Sequence, residues 1–369
     1  MKILYLTVSV GGGHLKAAEA IMEEFQNKYP DSEHLIVDVL KYINPVLDKL
    51  VVGGYLGTIK KTPQLYRMLY EHSETGDNIY DFSNRVSHLL SSKIKDLMDE
   101  FKPDVIVCTH PFSMQLISRF KSKSRTKVPI VVILTDFIVH SFWLYDFVDA
   151  YVVAHEYMKI DMIRRGIESD RVFAYGIPVS PKFNIKNDRK KLMDEFGLEQ
   201  GKHTALIMGG SLGYGKMNSS FKILSESKKD LQIIAITGRN QRQEQKFKRV
   251  ANQSNKTMKV ISYTDRVAEY MDVSDFIVTK PGGMTIAESL VKGLPMFIIS
   301  PIPGQEEENA QFLLNIGCAA RIWNHSNFDI LLKETLENPL RLRHMKEMSS
   351  FLAKPYASEN IIALIENLI

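Results

Sequence analysis

Residues 1–18 have the sequence MKILYLTVSVGGGHLKAA, in which an aliphatic, β-branched run meets three glycines and continues as an amphipathic stretch. Residues 204–213, TALIMGGSLG, begin the second half of the chain in the same order. A strand, a glycine loop and a helix in succession are typical of the first unit of a Rossmann-like parallel sheet. Two such beginnings in 369 residues predict two α/β domains, as the chain length also favours.

The rest of the chain alternates short β-branched runs with longer amphipathic stretches, which is typical of βα units on parallel sheets. The predicted strands are 3–8, 35–39, 104–108, 130–135, 150–153, 204–208, 232–237, 258–261, 276–279 and 296–300. The predicted helices are 14–28, 84–101, 216–227, 241–253, 284–292, 306–316 and 358–369.

Prolines and polar residues interrupt the pattern at 176–189, which predicts the boundary between the two domains. We expect an N-terminal domain at 1–180, a second domain at 181–354, and a C-terminal helix at 355–369 that packs back on the N-terminal domain. Two Rossmann-like domains of this kind would face each other across a cleft at the carboxyl ends of both sheets.

The composition excludes several classes of protein. Hydrophobic residues make up 44% and charged residues 24% of the chain, which is typical of globular domains rather than of disordered chains, collagens or coiled coils. No apolar run reaches the roughly 18 residues of a membrane helix, and the first residues predict a strand rather than a signal peptide. The two cysteines, Cys108 and Cys318, suggest neither a disulfide framework nor a zinc site, so we expect a cytoplasmic protein.

The net charge of +4 is too small to indicate nucleic-acid binding. Residues 1–180 contain 21 Lys and Arg against 22 Asp and Glu, so the first half is almost neutral. Attraction to a polyanion or a membrane must therefore come from local clusters.

The first glycine loop, Ser9–His14, joins the first predicted strand to the first helix. Glycines let the backbone approach a ligand closely, and a helix N-terminus favours negative charge. The loop lacks the G-x-G-x-x-G pattern, so a nicotinamide cofactor is not predicted. His14 begins the helix, where it either takes a proton in catalysis or only hydrogen-bonds the loop.

Three loops of the second half place polar groups at strand ends. Residues 209–213 (GGSLG) form either a nest for a diphosphate or only a tight turn, and they lack the Walker A pattern. In 279–289 (TKPGGMTIAES), Glu288 suits a ribose diol, although a solvated helical Glu is the common case. In 301–309 (PIPGQEEEN), Gln305 and Glu306 begin a helix with the amide and carboxylate groups that suit sugar hydroxyls.

Together these motifs resemble the GT-B glycosyltransferases, above all the group of monogalactosyldiacylglycerol synthases and processive diacylglycerol β-glucosyltransferases. The resemblance spans nearly the whole chain and rests on 11–18, 109–112, 135–137, 140, 143, 238–240, 280–288 and 304–309. The lipid-II-forming N-acetylglucosaminyltransferase of cell-wall synthesis is similar but more distant, because GGGHLKAA stands where that family has GGTGGH.

The resemblance implies roles for residues of this chain. The implied donor-binding residues are Gly210, Ser211, Leu212, Gly213, Arg239, Asn240, Tyr263, Pro281, Gly282, Gly283, Met284, Thr285, Glu288, Gln305 and Glu306. The implied loop and acceptor residues are Gly12, Gly13, His110, His140 and Trp143. Because this family inverts the anomeric centre, a base should face the donor from the first domain. The candidates are His14 and Asp136, although Asp136 can instead be a buried helix cap.

The resemblance implies a UDP-sugar as donor substrate, and the sequence predicts no metal or other cofactor. No two aspartates lie two positions apart, so the D-x-D motif of metal-dependent glycosyltransferases does not occur. Helix N-termini and backbone N–H groups can stabilise the leaving diphosphate instead.

Two stretches of the first half predict contact with an anionic membrane. Residues 49–70 combine apolar and aromatic residues with Lys60, Lys61 and Arg67. Residues 119–127 carry five basic residues and no acid; they include Lys121, Lys123, Arg125 and Lys127. Such segments suit an interfacial position, which predicts a peripheral protein on the cytoplasmic face of the cell membrane. The alternatives are a buried amphipathic helix for 49–70 and a solvated loop for 119–127.

The sequence therefore predicts an inverting transferase that moves glucose or galactose from a UDP-sugar to diacylglycerol. Three alternatives stay open: N-acetylglucosaminyl transfer to a lipid-linked cell-wall precursor, a UDP-N-acetylglucosamine 2-epimerase, and a non-catalytic UDP-sugar sensor. The choice of hexose, the number of sugars added and the oligomeric state also stay open.

Overall fold

A computed structural model of the chain describes residues 1–9, 12–43, 84–124, 126–209 and 217–369. The predicted residues that lie outside these ranges are Lys60, Lys61, Arg67, Arg125, Gly210, Ser211, Leu212 and Gly213. The chain forms two compact units. Unit 1 comprises Met1–Pro181, Ile302–Gln305 and Tyr356–Ile369, and unit 2 comprises Lys182–Pro301 and Glu306–Pro355.

Each unit contains a six-stranded sheet in which all strands are parallel. The strands of unit 1 are β1 Lys2–Thr7, β2 Glu33–Asp38, β3 Val105–Cys108, β4 Ile130–Ile133, β5 Ala150–Val152 and β6 Val172–Phe173. The strands of unit 2 are β7 His203–Met208, β8 Leu231–Ile236, β9 Met258–Ile261, β10 Phe276–Thr279, β11 Met296–Ile298 and β12 Ala319–Arg321. The predicted fold class, two Rossmann-like α/β domains, is confirmed.

Helices connect the strands, as parallel pairing requires. In chain order the described helices are α1 Gly13–Lys28, α2 Val39–Ile43, α3 Asn84–Phe101, α4 Pro111–Ser124, α5 Glu156–Arg164, α6 Arg189–Glu195, α7 Met217–Glu226, α8 Gln241–Asn252, α9 Val267–Asp272, α10 Gly283–Val291, α11 Gln305–Ile316, α12 His325–Glu337, α13 Pro339–Leu352 and α14 Ala357–Leu368. Within the described ranges, no helix is both long enough and apolar enough to cross a membrane.

The strand order of each sheet places a crevice at a defined point. The order is β2-β1-β3-β4-β5-β6 in unit 1 and β12-β11-β10-β7-β8-β9 in unit 2. The direction in which successive strands are added to the sheet reverses between β1 and β3 in unit 1 and between β7 and β10 in unit 2. Ligands of open α/β sheets bind at such switch points. Each glycine loop follows the strand at the switch point of its own sheet.

Helix α14 completes the core of unit 1, although it lies at the far end of the sequence. Ile361, Ile362 and Ile365 are fully buried among β1 and α1 residues of this core. At the rim, Lys28 Nζ and the Tyr29 hydroxyl each donate to Glu366 Oε1 over 2.6 Å. The C-terminal helix therefore packs on α1.

Helix α4 is an element that the sequence pattern does not reveal, because its buried face contains polar residues. Ser113 Oγ donates to the Leu6 carbonyl over 2.9 Å, and Ser118 Oγ donates to the Asp146 carbonyl over 2.8 Å. These hydrogen bonds satisfy hydroxyls that would otherwise be costly to bury. Residues 119–124 of the basic stretch therefore belong to a helix, and not to a solvated loop.

Candidate active site

Three loops of unit 1 meet at the carboxyl ends of β1, β3 and β4, where His14 lies. Its Nδ1 is 2.7 Å from the Thr109 carbonyl oxygen and 2.8 Å from the Thr135 hydroxyl. The His14 ring also contacts the edge of His110, with ring centres 4.5 Å apart. Residues separated by up to 121 positions thus converge because their strands are neighbours in the sheet.

The contact with Thr109 determines which nitrogen of His14 carries the proton. A carbonyl oxygen can only accept, so Nδ1 is the donor, and the lone pair of the neutral ring lies on Nε2. Among the described residues, Nε2 has no hydrogen-bond partner. A neutral imidazole in this tautomer can take a proton from a substrate hydroxyl.

Burial lowers the pKa of His14, while the negative charge of Asp136 and the hydrogen bond to Thr109 act in the opposite direction. The net shift is downward, so the ring is neutral at neutral pH. Asp136 lies three residues after the end of β4, and of the two interactions that raise the pKa of His14, its negative charge has the larger effect. The two candidate bases therefore interact electrostatically, and the negative charge of Asp136 makes His14 more basic.

The other histidines at this edge are held differently. Nδ1 of His110 accepts from the Phe112 N–H, and Nδ1 of His140 accepts from the Phe142 N–H, both over 3.1 Å. Their neutral rings carry the proton on Nε2, which suits a hydrogen-bond donor and not a base. Burial, followed by the charge of His14, lowers the pKa of His110 well below its usual value.

Two of the predicted acceptor residues lie beneath the surface of this edge. His140 is 4% exposed and Trp143 is 2% exposed, and both belong to a turn after β4. His155, which the sequence analysis did not single out, caps α5 through Nδ1 and donates from Nε2 to the Phe137 carbonyl over 3.0 Å. It fixes the loop after β4, and since the sequence pattern does not predict α5, nothing in the sequence marks His155 as a helix cap.

Gly12 shows why glycine is needed in the first loop. It is the N-cap of α1 with a φ of 78°, in the left-handed region that favours glycine. No side chain caps this helix at Gly12, and Gly13 is its first residue. The N–H groups of the first turn thus point toward the loop beside His14.

The Pro281-Gly282-Gly283 turn of unit 2 lies against the first turns of α11. Asn309 is fully buried, and its Nδ2 donates to the Pro281 carbonyl over 3.1 Å. Glu306, three residues earlier, has its Oε1 4.0 Å from where a Cβ of Gly282 would lie. Its Oε2 is 3.8 Å from Lys280 Nζ. Lys280, which the sequence analysis did not include among the site residues, therefore belongs to this group.

The remaining implied donor residues follow strands of the same sheet. The Arg239 guanidinium lies 5.2 Å from the ring centre of Tyr263, whose side chain is 60% exposed. Asn240 Oδ1 accepts from the Gln243 N–H over 3.1 Å and so caps α8. Met284 and Thr285 lie in the first turn of α10 and Glu288 in the next, all partly buried. Gln305 begins α11 and belongs to unit 1.

The basic residues at and after the end of α4 differ in solvent exposure and in ion pairing. Lys121 Nζ lies 2.5 Å from Asp149 Oδ2, and the Lys121 side chain is only 12% exposed. Its charge is neutralised within unit 1, so we do not retain it as a membrane residue. Lys123 and Lys127 are exposed.

Comparison with known proteins assigns both halves of the chain. Residues 14–179 match the family model of monogalactosyldiacylglycerol (MGDG) synthase, and residues 204–361 match the glycosyltransferase family 28 C-terminal domain. The "processive diacylglycerol beta-glucosyltransferase" of Bacillus pumilus is 28% identical over 98% of this chain and 93% of its own. That of Bacillus cereus strain AH187 is 28% identical over 99% and 93%.

Solved structures share the fold at low sequence identity. MurG of Acinetobacter baumannii is 15% identical, with a TM-score of 0.66 over 99% of both chains. The UDP-GlcNAc 2-epimerase of Neisseria meningitidis, bound to UDP-GlcNAc, is 14% identical, with a TM-score of 0.64 over 100% of both chains. The two-sheet fold and the family 28 domain define the chain as a GT-B glycosyltransferase. Within that class, residues 14–179 are similar to monogalactosyldiacylglycerol synthases, and nearly the whole chain is similar to processive diacylglycerol beta-glucosyltransferases.

Proposed function

We propose that this protein transfers a hexose from a UDP-sugar to the hydroxyl of diacylglycerol, with inversion at the anomeric carbon. The observation that carries the mechanism is the Nδ1–H···O=C hydrogen bond between His14 and Thr109, which leaves the lone pair on Nε2. The names of the relatives support diacylglycerol as acceptor and glucose as the sugar.

The reaction uses that lone pair in one displacement. The acceptor oxygen bonds to C1 of the hexose while its proton passes to Nε2 of His14. The bond between C1 and the oxygen of the β-phosphate breaks, and its electron pair leaves with UDP. Asp136 stabilises the imidazolium formed in this step, because its negative charge raises the pKa of His14. Attack and departure on opposite faces of C1 give the β-glycoside.

Unit 2 is the proposed donor site. Glu288 would accept from the ribose hydroxyls and Glu306 from the hexose, since a carboxylate offers only acceptors to these groups. The exposed Tyr263 and the adjacent Arg239 would lie at the uracil. The described residues contain no cluster of three or more metal-ligating side chains, and we propose that the transfer needs no metal.

The acceptor resides in a bilayer, so we propose that unit 1 docks on the cytoplasmic face of an anionic membrane. Lys123 lies in the last turn of α4 and Lys127 follows three residues after its end; both are exposed cations and would face the lipid. Basic residues near an anionic surface contribute about 1 kcal/mol each.

The test is incubation with radiolabelled UDP-glucose, UDP-galactose or UDP-N-acetylglucosamine and liposomes that contain diacylglycerol. Labelled glycolipid that forms equally with and without EDTA is expected. Its β configuration can be checked by NMR. Epimerised free nucleotide sugar, or binding of the donor without turnover, would contradict the proposal. Label in a polyprenyl-linked precursor but not in diacylglycerol would assign the acceptor to cell-wall synthesis.

A further inference from the structure

Lys280 is a buried cation whose ammonium has no hydrogen-bond acceptor among the residues that the structure describes. Its side chain follows β10 directly and the residue is 8% exposed. An ammonium has three N–H donors, yet Lys280 Nζ makes no hydrogen bond to any residue that the structure describes. Its one charged neighbour there, Glu306, is 3.8 Å away, which is beyond hydrogen-bond length. The donors of this largely buried ammonium therefore suit an oxygen acceptor supplied by a ligand.

The position of Lys280 within the sheet is the second observation. In the pairing of β10 with β7, Thr279 lies opposite Met208, so Lys280 and Gly209 leave the sheet side by side at the switch point. Ligands of open α/β sheets bind at such a switch point. The loop that leads to Glu306 follows β11, which is the neighbour of β10 on the side opposite β7.

The helix that follows Lys280 has an uncapped N-terminus. Gly282 is the N-cap of α10 and has no side chain to accept from the first-turn N–H groups. These groups and the helix dipole favour an anion. Two features that favour negatively charged oxygen, the Lys280 ammonium and the first turn of α10, are therefore three residues apart and joined by a Pro-Gly turn.

We propose that Lys280 binds the diphosphate of the donor and neutralises the charge that develops on UDP as the bond to C1 breaks. This inference rests on the proposed function and names the cation that would stabilise the leaving group in a transfer without metal. Glu306 is the charged partner of Lys280 in the structure. When the donor binds, phosphate oxygens become the acceptors for the ammonium, and Glu306 is left to accept from hexose hydroxyls.

The experiment compares the affinities of UDP and uridine by calorimetry, without acceptor lipid. Uridine lacks the phosphates, so the ratio of the two dissociation constants isolates the diphosphate contacts. In Lys280→Gln, we expect the Kd of UDP to rise about tenfold to a hundredfold, as for the loss of a charge-assisted hydrogen bond. The Kd of uridine should stay within about twofold. Lys280→Arg, which keeps the positive charge, should recover part of the UDP affinity.

Two further variants separate phosphate binding from a structural role. Lys292 is also a buried lysine of unit 2, but its Nζ bonds Asp272 and the Ile185 carbonyl. Lys292→Gln should lower the melting temperature and leave the ratio of UDP to uridine affinity unchanged. Glu306→Gln removes the competitor for the ammonium, so UDP should bind equally well or more tightly.

Several results would overturn the inference. The Lys280→Gln variant could lose as much affinity for uridine as for UDP, or it could lose affinity for neither. It could also lose affinity for UDP-glucose while it keeps its affinity for UDP. A loss of UDP affinity in Glu306→Gln as large as that in Lys280→Gln would show that the ion pair is merely structural. These measurements need no turnover, so a wild-type protein that binds UDP through Lys280 but makes no glycolipid would refute only the proposed function.

Discussion

Replacing His14 tests the central step of the proposed mechanism. His14→Ala removes the Nε2 lone pair, and no other histidine described at this edge offers one, because Nδ1 of His110 and of His140 accepts a backbone N–H. Loss of a general base costs about 10²–10⁴-fold in kcat, or roughly 3–5 kcal/mol of barrier. We expect UDP affinity to be unchanged, since His14 lies in unit 1 and the donor carboxylates lie in unit 2.

The pH profile distinguishes His14 from Asp136. A base works only when unprotonated, so activity is lost as the pH falls through its pKa. Because the pKa of His14 is lowered, the acid limb of kcat should lie below pH of about 6.5. Asp136→Asn removes a charge that raises this pKa, so the limb should move to still lower pH. The maximal rate should fall as well, because His14 becomes a weaker base.

The assay is initial-rate glycolipid formation between pH 4.5 and 9 at saturating donor, with UDP calorimetry and thermal unfolding as controls for folding. Added imidazole should restore part of the activity of His14→Ala. If His14→Ala keeps both its rate and its acid limb while Asp136→Asn loses about 10²–10⁴-fold, Asp136 is the base and the reasoning from the Thr109 hydrogen bond is refuted.

Three other predictions address binding, packing and the membrane. Glu288→Ala should raise the KM for UDP-sugar about tenfold to a hundredfold by removing acceptors for the ribose, and an unchanged KM in steady-state assays would remove Glu288 from the site. Gly209→Ala would place a Cβ 2.0 Å from the Sδ of the fully buried Met217. Urea unfolding should show a loss of about 1–3 kcal/mol; equal stability would refute this packing argument. Reversing Lys60 and Lys61 to Glu should weaken sedimentation with anionic liposomes but not UDP binding, and equal sedimentation would exclude this segment from the interface.

Most strands were predictable from sequence because strands of parallel sheets, covered on both faces, are continuous hydrophobic runs. The strand at 258–261 and the helix at 84–101 have the predicted bounds. Strands β6 and β12 contain two and three residues, too few for any periodic signal. Helix α5 exposes Tyr157, Ile160 and Ile163 to solvent, so its apolar residues do not mark its buried face.

The sequence was enough to predict which residues form the candidate site. It was not enough to predict which of them contact each other. His14 and Asp136 can be named from the motifs, but their electrostatic interaction depends on the order of β1, β3 and β4 in the sheet. Lys280 and Glu306 are 26 positions apart, and nothing in the sequence shows that their side chains face each other. His140 and Trp143 look like ligand contacts in the sequence, although both are buried.

Both sites hold a helical side chain by a backbone carbonyl at the end of a neighbouring strand. Thr109 O accepts from His14 in unit 1, and Pro281 O accepts from Asn309 in unit 2. A backbone carbonyl at a strand end is fixed by the sheet itself, so the side chain bound to it is oriented before any substrate arrives, which is what electrostatic preorganisation requires. Such an anchor does not depend on the side chain of the residue that supplies it. The hydrogen bond to the Thr109 carbonyl, which selects the tautomer of His14, therefore places no requirement on the residue type at position 109. It can be recognised only once the order of the strands is known.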